Sequence, residues 1–184
     1  MTDPMAGVTA ASTRTIGVAI AIPEPFGSEL QNHREHFGDP LARSIPTHVT
    51  LLPPTEVPVD ALPGIETHLR GIAAAATSFD ILLRGTGTFR PASPVVFVTL
   101  AEGISDCELL ERQMRSGPLG HRELEFVYHP HVTVAHDIAD EALSHAFDKL
   151  AQYEARFSVW GFSLYEHGSD GVWRPAVDFR FEFS

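Results

Sequence analysis

A chain of 184 residues suits one compact domain or two small lobes sharing a core, with roughly 70% of the unfolded surface buried on folding. Hydrophobic residues at 43% and charged residues at 20% exclude a disordered or fibrous chain, and no apolar run approaches the roughly 18 residues of a membrane span. With 13 Lys plus Arg against 24 Asp plus Glu, the net charge of −11 argues against an extended nucleic-acid surface, because such a surface holds phosphates with cations.

Residues 1–13 lack a basic start and a continuous apolar run, so they read as a disordered tail of a cytoplasmic protein rather than a secretory leader. The run TIGVAIAI, residues 15–22, reads as a buried strand, and residues 23–37 as a helix opened by proline and closed near Gly38. A strand at 45–52 follows and is ended by Pro53 and Pro54; then come a helix over 60–75 and a strand over 79–89. The same order then recurs, with strand 95–100, helix 104–115, strand 130–136, helix 140–151 and strand 156–165, before a closing hairpin strand at 172–183. Cys107, the single cysteine, falls in the third helix, where it reads as buried filler and allows no internal disulfide. The repeat predicts an α+β fold of two pseudo-two-fold-related modules, lobes 14–92 and 93–184 of one domain, with antiparallel sheets flanked by helices around a central cleft.

One tetrapeptide pattern occurs in both modules: His48-Val49-Thr50-Leu51 and His131-Val132-Thr133-Val134, with the two histidines 83 positions apart. Successive side chains of a strand point to opposite faces, so His48 and Thr50 share one face while Val49 and Leu51 share the other. His131 and Thr133 repeat that division. A histidine in a strand is ordinarily a structural residue, but recurrence within matched modules points to two imidazoles and two hydroxyls facing one ligand.

Imidazole has an unperturbed pKa of about 6.5, so one neutral and one protonated ring make a base and an acid at neutral pH. A reaction with a nucleophile and a leaving group on opposite sides of one centre uses such a pair. Phosphodiester hydrolysis has that layout, and the charge on its non-bridging oxygens calls for hydroxyl donors, the part Thr50 and Thr133 are placed to take.

The HVTL and HVTV motifs, with the IPTHVTLLPP and YHPHVTV contexts and the duplicated modules, resemble the 2H phosphoesterase superfamily, whose bacterial branch is often called the 2′-5′ RNA ligase family. The resemblance covers nearly the whole chain. It implies a bilobal fold and metal-independent hydrolysis of 2′,3′-cyclic phosphates, related cyclic phosphates or 2′-5′ linkages, with no cofactor. His48 and His131 would be the acid/base pair, and Thr50 and Thr133 the phosphate binders. Where many relatives carry an arginine shortly after the second motif, this chain has His136. The expected partner is a small nucleotide or RNA-end substrate, and that residue with the acidic charge points toward a small cyclic nucleotide or phosphate rather than a polynucleotide end.

Further substrate contacts are expected from Arg43, just before the first motif, from Arg90, from Tyr128, beside the second, and from His136. Phe89, Tyr128 and Trp160 could stack on a base. Two other readings use the same residues. A non-catalytic module could hold a phosphorylated nucleotide without turning it over, and a metallohydrolase could use His129, His131, His136 and Asp137 as ligands.

Overall fold

Eight strands and four α-helices frame the described residues, 12–120 and 126–182, of the computed structural model. The order is β1 (Thr13–Ala21), α1 (Phe26–His36), β2 (His48–Pro58), α2 (Leu62–Ala75), β3 (Phe79–Thr88) and β4 (Val95–Glu102). It continues with α3 (Ile104–Met114), β5 (His131–His136), α4 (Asp140–Lys149), β6 (Glu154–Val159), β7 (Gly161–His167) and β8 (Trp173–Arg180). Two four-stranded sheets form, β2-β1-β7-β8 and β5-β4-β3-β6, and every pairing is antiparallel. The α+β fold expected from the sequence is the one found.

The repeat is visible in the sheet order, because β1 and β2 occupy in one sheet the places of β4 and β5 in the other. The third strands are exchanged. β3, from the first half of the chain, joins β4, while β7, from the second half, joins β1. The boundary between sheets therefore does not fall at residue 92. Helices cross over in the same way: α1 packs on β5 and α3 on β2, so each motif strand is backed by a helix from the other module.

Three predicted boundaries differ. Residues 156–165 are two strands, since β6 ends at Val159 in one sheet and β7 begins at Gly161 in the other. β2 continues through Pro53 and Pro54 to Pro58. A proline lacks the N–H that an inner strand must donate, but β2 lies at a sheet edge, where an unpaired side tolerates it. Of the predicted tail, residues 1–11 lie outside the described residues, and Thr13 already begins β1.

Alternation in β1 buries Ile16, Val18 and Ile20 to 2% exposure or less and leaves Gly17, Ala19 and Ala21 on the opposite face. The helices meet this core with stripes at helical spacing: Ile65, Leu69 and Ile72 on α2, Cys107, Leu110 and Met114 on α3, and Leu143 and Ala146 on α4. All belong to one contiguous cluster that also holds Val49, Leu51, Val132 and Val134 behind the two motifs. No helix among the described residues is long and apolar enough to cross a membrane.

Leu69 is fully buried, so Leu69→Ala should lower unfolding free energy by about 2–5 kcal/mol in urea titration. Leu109, 51% exposed, is the control, and Leu109→Ala should stay within about 0.5 kcal/mol of the parent.

Candidate active site at the meeting of two sheet edges

β2 and β5 are edge strands of their sheets and lie against each other. On each, the aliphatic residues are anchored behind: Val49 and Leu51 are at most 1% exposed, and Val132 and Val134 are fully buried. His48, Thr50, His131 and Thr133 are half-buried on the opposite face. Both strands slip register at the same point. Thr50 pairs with Ala19 but Leu52 with Val18, and Thr133 pairs with Phe97 but Ala135 with Val96, so an extra residue bulges directly after each threonine.

The two histidines are held alike. His48 Nδ1 donates to the Pro46 carbonyl at 2.7 Å, and His131 Nδ1 donates to the His129 carbonyl, also at 2.7 Å. A carbonyl only accepts, so Nδ1 carries the proton and Nε2 keeps the lone pair. His48 Nε2 lies 3.1 Å from Thr50 Oγ1, whose hydroxyl supplies the donor. Each imidazole is thus oriented by the backbone oxygen two residues earlier, which leaves Nε2 as the basic nitrogen of both rings.

Both rings favour the neutral form. Burial lowers the His48 pKa to about 4 against the pull of its bond to Pro46, and the positive charges of Arg34 and His131 push it further down. His131 is lowered chiefly by burial, with repulsion from His129 adding to it.

Sequence reasoning missed Arg34. It looked like one of several polar residues on a surface helix, yet it is 3% exposed, and its Nε donates to Asp39 at 2.7 Å. Asp39 also accepts from the Leu41 N–H, which fixes the turn leading into the first motif. No periodic signal marks such a residue; its partner sits five positions on, beyond the end of α1.

Tyr128 spans the seam. Its hydroxyl donates to the Thr50 carbonyl at 2.8 Å, and burial raises its pKa, which keeps the phenol a donor. Phe89 stands edge-on to His131 with ring centres 4.9 Å apart. Arg90 is held by Asp140 at 2.7 Å and by Ser144 at 3.1 Å, at the start of α4. The Arg43 side chain is 87% exposed and 3.9 Å from Glu35. His136 Nε2 lies 3.9 Å from Asp137, and Trp160, 56% exposed, marks the break between β6 and β7. His129 stacks on His131 with centres 6.3 Å apart, and among the described residues no three His, Cys, Asp or Glu side chains converge on a metal position. Cys107 is buried behind the site, and burial raises the pKa of its thiol.

Two antiparallel sheets meeting at paired His-x-Thr edges define a phosphoesterase of the 2H type. The model of the 2′-5′ RNA ligase superfamily matches residues 22–171, and the chain belongs to that superfamily. A candidate phosphoesterase of Bacillus licheniformis is 31% identical over 156 residues, which is 84% of this chain and 91% of that protein. Another, of Halalkalibacterium halodurans, is 29% identical over 73% of this chain and 77% of its own length. Among solved structures, E. coli LigT complexed with 3′-AMP superposes with a TM-score of 0.66 at 16% identity, covering 93% of this chain and 99% of that one. A Thermus thermophilus protein gives 0.66 at 22%, covering 92% and 99%. These structures share the fold.

Removing one partner of a buried ion pair strands the other charge. Arg34→Met should therefore cost about 3–5 kcal/mol in urea unfolding. With the cation gone, the His48 pKa should rise from about 4, a shift read by NMR titration of the ring protons.

Proposed function

We propose that the protein is a cytoplasmic, metal-independent phosphodiesterase that opens a 2′,3′-cyclic phosphate, or cleaves a related cyclic or 2′-5′ phosphodiester, with His48 and His131 as the acid/base pair. The observation that carries this reading is the matched pair of imidazoles, each with Nδ1 bonded to the carbonyl two residues earlier, so that Nε2 keeps the lone pair in both. One neutral ring takes a proton from water as its oxygen attacks phosphorus. The other, protonated, delivers its proton to the departing sugar oxygen, so the P–O bond breaks without expelling an alkoxide. Thr50 and Thr133 donate to the non-bridging oxygens as charge gathers there. E. coli LigT has been solved with 3′-AMP, with phosphate, with ATP and with NADP+, which supports a small nucleotide or RNA end as the substrate here.

His48→Ala and His131→Ala should each lower kcat on adenosine 2′,3′-cyclic phosphate by about 10²- to 10⁴-fold with an unchanged circular dichroism spectrum. Thr50→Ala and Thr133→Ala should cost less, at most the roughly 10²- to 10³-fold of a lost oxyanion donor. Near-parental activity in either histidine variant, or tight binding of the parent to the substrate with no product formed, overturns the assignment.

The working enzyme needs one ring protonated and one neutral. In the free protein the first proton is lost below pH 6.5, the ordinary value from which His131 is lowered, and the second near pH 4. The pH profile of kcat/KM should be a bell whose top lies between those limits, falling about tenfold per unit on the alkaline side. An anionic phosphodiester raises both values in the complex, so kcat should hold to higher pH than kcat/KM. Dialysis against a chelator should leave the rate unchanged. Loss of activity that zinc restores would sink the metal-free mechanism.

A further inference from the structure

The modules are matched in backbone but not in what fills the space beside each histidine. Cross-strand partners share a face, so the residue opposite each motif threonine points into the same side of the cleft. Opposite Thr133 stands Phe97, and opposite Thr50 stands Ala19. The Phe97 ring lies 5.0 Å from His131 and 4.5 Å from Phe89. It rests on β3 at Gly87, where any Cβ would come within 2.5 Å of the ring. Phe89 completes the wall from its place edge-on to His131. The half-cleft beside His131 is therefore occupied by the protein's own aromatic rings.

Beside His48 the equivalent volume is open. Ala19 offers one methyl group, and at Gly17 the missing side chain lets the Trp173 indole come down, its Cζ3 atom 3.3 Å from where a Cβ would stand. A shallow cleft is lined here by Ala19, Pro46, His48, Thr50, Tyr165 and Trp173 among others. Apart from the motif side chains and the Tyr165 hydroxyl, the lining residues are apolar. Past Ile45, Pro46 and Trp173 the cleft meets a wider basin of about 650 Å³ that has Gln31, Glu35 and Arg43 on its sides. Substrate anchored at His48 thus has one apolar shelf beside its phosphate and an exit beyond it.

We propose that the organic part of the substrate lies over the β2-β1-β7-β8 sheet alone, as a flat apolar ring seated on Ala19 against the Trp173 indole, so that Ala19 and Trp173 set which phosphodiesters are accepted. This rests on reading His48 and His131 as a phosphodiester centre. A ring stacked on an aromatic side chain gains dispersion and leaves water, whereas the same ring turned toward His131 would have to displace Phe89 and Phe97.

The test compares two probes on the full-length chain: adenosine 2′,3′-cyclic phosphate, which carries a ring, and ethylene glycol cyclic phosphate, which does not. Ala19→Phe builds into the open half the side chain that Phe97 supplies in the other, and Trp173→Leu removes the shelf without filling it. In each variant the ratio of kcat/KM for the adenosine probe over the ringless one should fall about tenfold or more, mainly through KM. A ratio within about twofold of the parent in both variants overturns the proposal. A second readout does not depend on turnover. Trp160 and Trp173 are the chain's two tryptophans, so in a Trp160→Phe background the emission comes from Trp173. Titration with adenosine 3′-monophosphate should quench it, and the added Ala19→Phe change should abolish the quenching. Quenching without hydrolysis of either probe refutes the phosphodiesterase reading but keeps the subsite; hydrolysis with neither quenching nor a changed ratio refutes the subsite alone.

Discussion

Everything chemical in this molecule depends on holding two sheet edges at a fixed separation. β2 and β5 share no sheet, so no ladder of backbone hydrogen bonds sets the gap between them. Other contacts do. The hydroxyl of Tyr128 takes the Thr50 carbonyl, one of the acceptors that an edge strand leaves unpaired, and so joins the approach to one motif to the middle of the other. Behind the seam, α1 packs on β5 and α3 on β2, so neither strand can move without a helix that precedes the other. A tyrosine and two crossed helices thus do between the sheets what hydrogen bonding does within them.

Within that frame the electrostatics are sparing. Among the described residues no carboxylate bonds to either motif histidine, and Arg34 is buried where its charge is felt at His48. Asp39 neutralises that arginine through Nε and the turn through the Leu41 N–H, so one ion pair fixes both a charge and a loop. With both rings inclined to neutrality, the proposed mechanism has the anionic substrate draw in the proton it needs. Affinity and ionisation become one event.

The parts of this arrangement that a local pattern can carry were legible in the sequence. Alternation put His48 and Thr50 opposite Val49 and Leu51, and the structure shows that division at both motifs. Long-range partners carry no local mark. Nothing within residues 79–88 says that β3 belongs with β4 rather than with the two strands before it, and residues 156–165 read as one strand because the crossing between sheets takes a single residue, Trp160. Pro53 and Pro54 were misleading because their meaning depends on whether a strand is central or at an edge. Arg43 and Arg90 looked promising by proximity in sequence, but Arg90 is held by Asp140 and Arg43 extends into solvent. The arginine that matters for His48 was the one with least to recommend it.

The exchange of third strands also fixes when the site comes into being. β1 is completed only when β7 reaches it, with Ile16 opposite Glu166 and Ala19 opposite Ser163, partners far apart in sequence. Contacts of such sequence separation form late and slowly. A chain emerging from the ribosome has made both histidines long before it can make the sheet that supports the first of them. A fragment stopped after β5 would hold every proposed catalytic side chain and still present β1 as a bare edge, ready to take a strand from another copy. The sheet under the first motif is complete only once β7 has been made.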